Sequence, residues 1–207
     1  MFEEIRELFA IHADDGYAQN EIDAVCDRYG GLPEILKQYY LQLGKIVPLN
    51  QQQNRLLAPE KMIDVGEYLI FYVENQYVAQ WALKISDLAQ NNPPVYCAPD
   101  EKTFKLECET LYDFLLAMAS FQAGSWGLSY SSEAIYYLKE EDLSKIAAKY
   151  GKRSYALHQW IDISFYGNRG DEIICVLGGE QMQYGSSNRE HFKEMEHFVE
   201  QLNLEIL

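Results

Sequence analysis

The residue types that most often carry chemistry in proteins are present in this sequence, but their spacing predicts no catalytic or metal site. His191 and His197 are six residues apart, whereas two metal ligands on one face of a helix need a separation of three or four. His191 and Glu194 have the i, i+3 spacing of a helix face, and we interpret them as part of a solvated charged surface. His12 is expected at the end of the first helix and His158 just before a strand. Neither adjoins a serine or cysteine in a nucleophile-elbow sequence.

Cysteine and glycine motifs do not indicate a cofactor either. Cys26, Cys97, Cys108 and Cys175 are widely separated and form no CxxC pair, so we predict buried, reduced thiols, with a metal site or redox pair as the alternative. Gly178-Gly179 lacks the Lys-Ser/Thr of a P-loop and the third glycine of a dinucleotide fingerprint. Among 32 Asp and Glu residues an acid–base pair is expected by chance alone. We therefore predict no enzyme, no cofactor and no metal.

The composition is that of a packed globular protein. The chain has 207 residues, of which 48% are hydrophobic and 14% aromatic, and a chain of this length buries about 70% of its unfolded surface. It starts MFEEIRELF, with glutamates where a signal peptide needs basic residues, and it has no apolar run of about 18 residues. We expect a cytosolic protein.

The net charge of −15 restricts the partners of this protein. Such a chain repels phosphates and anionic lipid surfaces, so we expect it to bind no nucleic acid and no membrane. A basic protein would be attracted to it. Solubility alone is the alternative explanation of the charge.

Three short helices are predicted before the first strand. Asn20 is predicted to cap the second helix, and Pro33 to occupy the first position of the third. Residues 45–66 show no sustained period and are interpreted as an irregular loop. Each helix is expected to end at or before a glycine: Gly16, Gly30 and Gly44.

Alternating apolar residues then predict an antiparallel meander. Its first two strands are joined by the polar residues 74–77, and Asn91-Asn92-Pro93-Pro94 breaks the chain before the third. Trp81 is assigned to the core. A helix from Leu111 to Gly124 is expected to lie on the sheet. The four predicted strands are Tyr68–Val73, Val78–Ile85, Val95–Ala98 and Thr103–Cys108.

The C-terminal part repeats the order of strand and then helix. Residues 134–138 predict a strand, and a helix closed by Gly151 follows. Residues 160–177 predict a hairpin around Gly167-Asn168-Arg169-Gly170, and a last helix begins after a Ser187 or Asn188 cap. These strands either extend the first sheet or form a second small lobe. We predict an α+β fold with a central, mainly antiparallel sheet and helices packed on it. The chain is predicted to be one domain, 1–207, with a core 1–127 and a β/α extension 128–207.

Several of these pieces, in this order and spacing, resemble the SUKH superfamily, which includes a fungal cell-wall-synthesis regulator and many bacterial immunity proteins. The family commonly has a glycine after the Asn-Gln pair and an aspartate before Pro-Pro, where this chain has Tyr77 and Asn92. The resemblance covers roughly the first 125 residues. The matching pieces are the helix from Leu32-Pro33 to Gly44, Glu74-Asn75-Gln76 at a strand end, Trp81, Pro93-Pro94-Val95 and the helix from Leu111.

The resemblance implies an immunity protein that binds and neutralises a cognate toxin domain, such as a nuclease. An intracellular regulatory or scaffold protein is the alternative, and an unrecognised enzyme acting on a cationic substrate is a third. The basic cleft of a nuclease would attract so acidic a chain. The expected partner contacts are turn residues of the sheet: Glu74, Asn75, Gln76, Tyr77, Asp87, Asn91, Asn92, Asp100 and Glu101.

Overall fold

The structure, a computed structural model, describes residues 1–100 and 102–207. It is an α+β fold with two mainly antiparallel sheets, which confirms the predicted fold class. The helices within the described residues are α1 Glu3–Phe9, α2 Gln19–Tyr29, α3 Glu34–Leu43, α4 Val47–Asn50, α5 Leu111–Gln122, α6 Glu140–Lys149 and α7 Arg189–Leu202. The strands of the same residues are β1 Asn54–Leu56, β2 Ile63–Asp64, β3 Tyr68–Glu74, β4 Gln80–Lys84, β5 Val95–Ala98, β6 Lys105–Cys108, β7 Tyr130–Ser131, β8 Tyr136–Tyr137, β9 Lys152–Leu157, β10 Ile163–Tyr166, β11 Glu172–Leu177 and β12 Gln181–Ser186.

The chain divides into two compact units. We call Ala13–Leu115 the middle unit, and Met1–His12 together with Leu116–Leu207 the terminal unit. Each unit contains one of the two sheets, so the C-terminal strands form a sheet of their own and do not extend the first one. None of the helices in the described residues is long and apolar enough to cross a bilayer.

The sheet of the middle unit is the predicted meander with two additions. Strands β3, β4, β5 and β6 pair in chain order, each antiparallel to the next. The loop expected at 45–66 was wrong in part, because β1 and β2 within it both pair with β3. Strands of three and two residues are too short to show a period in the sequence.

One face of this sheet holds an aromatic core. The rings of Phe71, Tyr72 and Trp81 all lie within 6.2 Å, centroid to centroid, of another core ring, and all three contact Phe114 of α5. Trp81 and Phe114 are fully buried, which confirms the core assignment of Trp81. In β3, Ile70 pairs with Ala82 and Tyr72 with Trp81, so Phe71 is an extra residue in a β-bulge.

The boundaries of the N-terminal helices differ from those predicted. Helix α1 ends at Phe9, and its cap Ala10 has φ 53°, so His12 lies beyond the helix and not at its end. Helix α2 begins before Asn20, and the Glu21 carboxylate accepts the N–H of Ala18 at 2.7 Å. A carboxylate in the first turn satisfies a free N–H as well as a capping asparagine does.

The terminal unit contains the second sheet, in the order β7-β12-β11-β10-β9 with β8 also on β12. The predicted hairpin joins β10 to β11, although β10 starts at Ile163 and not at Trp160. Strands β9 and β12 were not predicted. Gly178 and Gly179, with φ 61° and 75°, form the β11–β12 turn and do not simply end a strand. A Gly-Gly pair between apolar segments is a hairpin signal that the sequence already carried.

Helices α6 and α7 cover this sheet through an apolar cluster. The cluster contains Ile146 of α6, Met182 and Tyr184 of β12, and Met195 and Val199 of α7. Helix α7 starts where predicted, since the Asn188 side chain accepts the N–H groups of Glu190 and His191.

A π-helical turn at Ala123–Gly127 follows α5 and packs against β11 at a glycine. A Cβ atom at Gly124 would overlap the Sγ atom of Cys175 and lie 3.1 Å from its Cβ. The thiol of Cys175 donates to the Ser120 carbonyl at 3.3 Å, so it is held at the end of the helix. This site therefore excludes a side chain at residue 124.

We expect Gly124→Ala to lower the free energy of unfolding by about 1–3 kcal/mol, because the added methyl group overfills a packed contact. The control is Gly151→Ala, whose nearest heavy atom would be Asn168 Oδ1 at 3.6 Å, with an expected change within about 0.5 kcal/mol. Urea unfolding of both variants measures the difference. Adding Cys175→Ala should reduce the cost of Gly124→Ala, and equal costs in both backgrounds would contradict this contact.

Candidate partner-binding site

The residues expected to contact a partner lie at two opposite ends of the first sheet. Residues 74–77 and Asp100 lie at one end, where Gln80 of β4 pairs with Val73 of β3 and with Ala98 of β5. Asp87, Asn91 and Asn92 follow β4 at the other end, where Tyr68 pairs with Lys84. The five residues of β4 separate the ends by roughly 16 Å. The predicted residues therefore form two groups, and Glu101 lies outside the described residues.

Glu74 shapes the β3–β4 turn from a buried position. Its side chain is 4% exposed, and its Oε2 atom accepts the N–H of Gln76 at 2.6 Å and that of Val78 at 3.4 Å. A carboxylate so occupied has little surface left for a partner.

Asn91 and Asn92 support helix starts. The Asn91 carbonyl accepts the N–H of Ile35, and Asn92 Oδ1 accepts the N–H of Tyr112 at 2.9 Å, in the first turn of α5. Such first-turn N–H groups have no partner inside their helix, so both asparagines have a structural role in addition to any binding role.

Asp87 and Asp100 are turn residues as well. Asp100 Oδ1 accepts the N–H groups of Thr103 and Lys102 at 2.9 and 3.0 Å, and these bonds hold the pKa of Asp100 below its usual value. Asp87 is half-buried and accepts the Ser86 hydroxyl at 3.1 Å.

The tip of the β3–β4 turn presents an aromatic ring to solvent. Tyr77 is 47% exposed, and the Arg55 guanidinium lies 4.8 Å from its ring centroid and donates to the Asn75 carbonyl. Tyr77 has φ 64°, a left-handed conformation that is uncommon for a large residue. Together with the exposed Val78, this ring remains the strongest of the sequence-predicted contacts.

The sheet also has an apolar face that the sequence interpretation missed. Ile63, Ile70, Ala82, Tyr96 and Leu106 are successive cross-strand partners, so they lie in one row on the side opposite Trp81. Ile63 and Leu106 at the two ends of the row are 42% and 40% exposed. We call this side the outer face.

Aromatic rings cover the middle of the outer face. Tyr68 stacks on Phe104 with ring centroids 4.2 Å apart and meets Tyr96 edge-on at 5.5 Å. All three are half-buried, and the Lys84 ammonium lies 4.7 Å from the Tyr96 centroid. The rings of Tyr68 and Phe104 pack against the buried cluster that contains the small Ala82. The outer face is thus an aromatic surface with an aliphatic residue at each end.

A β-bulge in β6 produces this arrangement. Val95 pairs with Cys108 and Tyr96 with Leu106, so Glu107 is an extra residue. The simple alternation predicted for 103–108 was therefore wrong, because Glu107 and Cys108 are both buried while Leu106 is exposed. The Glu107 carboxylate accepts the Trp81 indole N–H at 3.0 Å.

Three of the histidines, His158, His191 and His197, lie beside carboxylates. His191 Nδ1 lies 2.7 and 2.9 Å from the two Asp171 carboxylate oxygens, and Glu194 binds Arg169 at 2.8 Å. On this charged surface of α7, Glu194 is exposed and His191 half-buried, and each has its partner in the β10–β11 hairpin region. No group of three or more His, Cys, Asp or Glu residues in 1–100 and 102–207 is placed to hold a metal ion.

The four cysteines are free, and three of them are buried as predicted. Burial raises the pKa of Cys97 and Cys175, and for Cys97 the neighbouring Glu107 carboxylate adds to the shift. Burial also raises the pKa of Cys108 to about 12. Cys26 is half-buried, and its pKa is raised as well.

No protein-family model, curated protein or solved structure matches this chain.

We expect Glu74→Ala to destabilise the protein by roughly 1–3 kcal/mol, because two backbone N–H groups lose their acceptor. Glu74→Gln keeps an acceptor oxygen and should lose less. The matched control is Glu67→Ala, an exposed glutamate, with an expected change within about 0.5 kcal/mol. Urea unfolding measures all three. Equal losses at 67 and 74 would show that Glu74 does not hold the turn.

We expect the native protein at pH 8 to expose one titratable thiol to Ellman's reagent, that of Cys26. The other three thiols are buried with raised pKa values, so the reactive thiolate is scarce and inaccessible. All four should react in guanidinium chloride. Cys26→Ser should abolish the native reaction, and a remaining fast thiol would contradict the burial of the others.

Proposed function

We propose that this protein is an immunity protein, which binds and neutralises a basic toxin domain such as a nuclease through the outer face of its first sheet. The observation that carries the proposal is a surface of half-buried aromatic rings between the exposed Ile63 and Leu106, on a chain of net charge −15. The resemblance of roughly the first 125 residues to the SUKH superfamily supports the same function.

The negative charge belongs to both units of the chain. Each unit contains 16 Asp and Glu residues, with 8 Lys and Arg in the middle unit and 9 in the terminal unit. A basic partner is attracted over distances comparable to the Debye length, about 8 Å at physiological salt. Electrostatic steering of this kind raises association to about 10⁸–10⁹ M⁻¹s⁻¹ at low salt, and rapid capture matters for an inhibitor of a toxic enzyme.

The outer face supplies short-range affinity that charge alone does not. Interfaces place aromatic residues in a desolvated centre and charged residues at the rim. Tyr68 and Tyr96 have that central position. Acidic side chains lie at the end of the sheet where Tyr68 begins β3: Asp64 on β2, Glu67 before β3 and Asp87 after β4. The carboxylates at this end of the sheet would attract a basic cleft, and the rings beside them would contact its apolar margins.

The direct test is to look for a toxin gene beside the gene of this protein and to co-express the two proteins. Protection of the cells and co-purification of the two proteins are expected, and the association rate should fall as salt is raised. Failure of both would contradict the proposal. Co-purification with a non-toxic partner would instead support the regulatory alternative.

We expect Leu106→Ser or Ile63→Ser to weaken binding of the toxin about tenfold or more, because each removes an exposed apolar contact of the outer face. Val47→Ser, at a 56% exposed valine on α4, is the matched control and should not change the affinity. Calorimetric titration measures the dissociation constants. A loss with Tyr77→Gly alone would place the contact at the β3–β4 turn and contradict the outer face.

A further inference from the structure

The terminal unit has an open cavity with aromatic walls, at a place that the proposed function does not use. Its volume is about 280 Å³, and it lies between β12, the β7–β8 segment and α7. Ser132 fixes one wall, because its N–H donates to the Tyr184 carbonyl at 2.8 Å and its hydroxyl accepts the Tyr184 N–H at 3.4 Å.

The terminal unit has two larger cavities of about 430 Å³ each, one beside Lys149 and Arg169 and one beside Arg6 and Asp171. Both of these cavities have arginine in their walls. The smaller cavity has glutamates and aromatic rings in its walls and no arginine among the described residues that line it.

Four aromatic rings form a row, and three of them, Tyr136, Tyr184 and Phe192, line this cavity. Tyr184 stacks on Phe192 with centroids 5.6 Å apart and planes tilted by 21°. Tyr136 lies 6.1 Å from Tyr184 on one side, and Tyr130 lies 6.1 Å from Phe192 on the other. Tyr136 and Phe192 are only half-buried, so part of their ring surface faces the open cavity. Ring faces of this kind attract cations.

Glutamates supply the charged groups of the cavity. Glu133 lies on the β7–β8 segment, and Glu196 and Glu200 follow Phe192 at i+4 and i+8 on one stripe of α7. Burial raises the pKa of Tyr184 most, and Tyr136, Glu196 and Glu200 add to the shift, so these carboxylates lie close enough to make its hydroxyl group harder to ionise.

The electrostatic character of this cavity is uniform. Among the described residues that line it, none is Lys, Arg or His. Glu133 and Glu196 have no ion-pair partner in the described part of the chain, and Glu200 is 3.8 Å from the exposed His197. An anion would be repelled here. The three carboxylates are not grouped as metal ligands within the described residues.

We propose that this cavity binds an organic cation, an alkylammonium or guanidinium group, against the half-buried rings of Tyr136 and Phe192, which pack on the buried Tyr184, with Glu196 and Glu200 beside it. The groups with this chemistry in a polypeptide are lysine and arginine side chains, and we assign the cavity to such a side chain on a basic partner. The proposal goes beyond the toxin-binding face, because it concerns the other unit and holds for any basic polypeptide.

The first experiment uses two probes of equal shape and different charge. Choline and 3,3-dimethylbutan-1-ol differ in a quaternary nitrogen against a quaternary carbon, so their affinities isolate the effect of charge. Titration of the full chain, followed by NMR of its aromatic side chains, should show choline bound about two- to thirty-fold more tightly, with shifts at Tyr136, Tyr184 and Phe192. Equal affinities, or shifts elsewhere only, would overturn the proposal.

The second experiment separates a polypeptide side chain from a free amine. Acetyl-Gly-Lys-Gly-amide should bind more tightly than its norleucine analogue and more tightly than free butylamine, if the cavity accepts a side chain with its backbone. Tighter binding of butylamine than of the peptide would overturn the assignment to a polypeptide.

Variants test the residues themselves. Glu196→Gln with Glu200→Gln should remove most of the preference for choline, whereas Glu140→Gln with Glu190→Gln removes the same charge outside the cavity and should preserve it. Phe192→Leu should weaken choline binding and leave 3,3-dimethylbutan-1-ol binding nearly unchanged. These exposed glutamate changes leave the core intact, so the test remains decisive even if Phe192→Leu unfolds. An unchanged preference in the cavity double variant would overturn the proposal, and none of these results depends on whether a toxin is bound.

Discussion

The hydrogen bond between the Trp81 indole and the buried Glu107 carboxylate, 3.0 Å long, determines how the first sheet presents its surface. A carboxylate at 7% exposure is costly unless it has partners, so Glu107 must face Trp81. The bulge in β6 makes this possible by adding one residue to the strand. Because Glu107 takes the inward position, Leu106 before it points outward. An interaction in the core thus places the exposed Leu106 at the end of the row on the outer face.

In the second sheet, glycines allow the close packing that places aromatic rings beside the glutamates of α7. Gly124 allows the π-helical turn to approach Cys175, and the Gly178-Gly179 turn brings β12 back beside β11. Strand β12 then supplies Tyr184 to the row of rings, while α7 supplies Phe192 from the same stripe as its glutamates. The apolar stripe of α7 stabilises the fold, and the adjoining polar stripe shapes the cavity.

Both candidate surfaces place aromatic rings next to acidic residues, on a chain whose acidic residues are shared equally between its two units. Charge of this sign acts at long range and does not specify a contact, whereas apolar and aromatic area acts only at contact. Attraction of a basic partner and the position of its contacts are therefore separate properties. The first can be derived from composition, and the second needs the structure.

The sequence by itself determined the α+β class, the four-strand meander, the burial of Trp81 and the capped start of α7, because each rests on local periodicity or a capping residue. It also determined the acidity of the protein. Only the tertiary structure decided that Glu107 is buried and Leu106 exposed, that the predicted turn residues lie at two ends of a sheet, and that Tyr136, Tyr184 and Phe192 meet. Bulges, strand order and packing between distant segments set these positions, and none of them leaves a periodic signal in the chain.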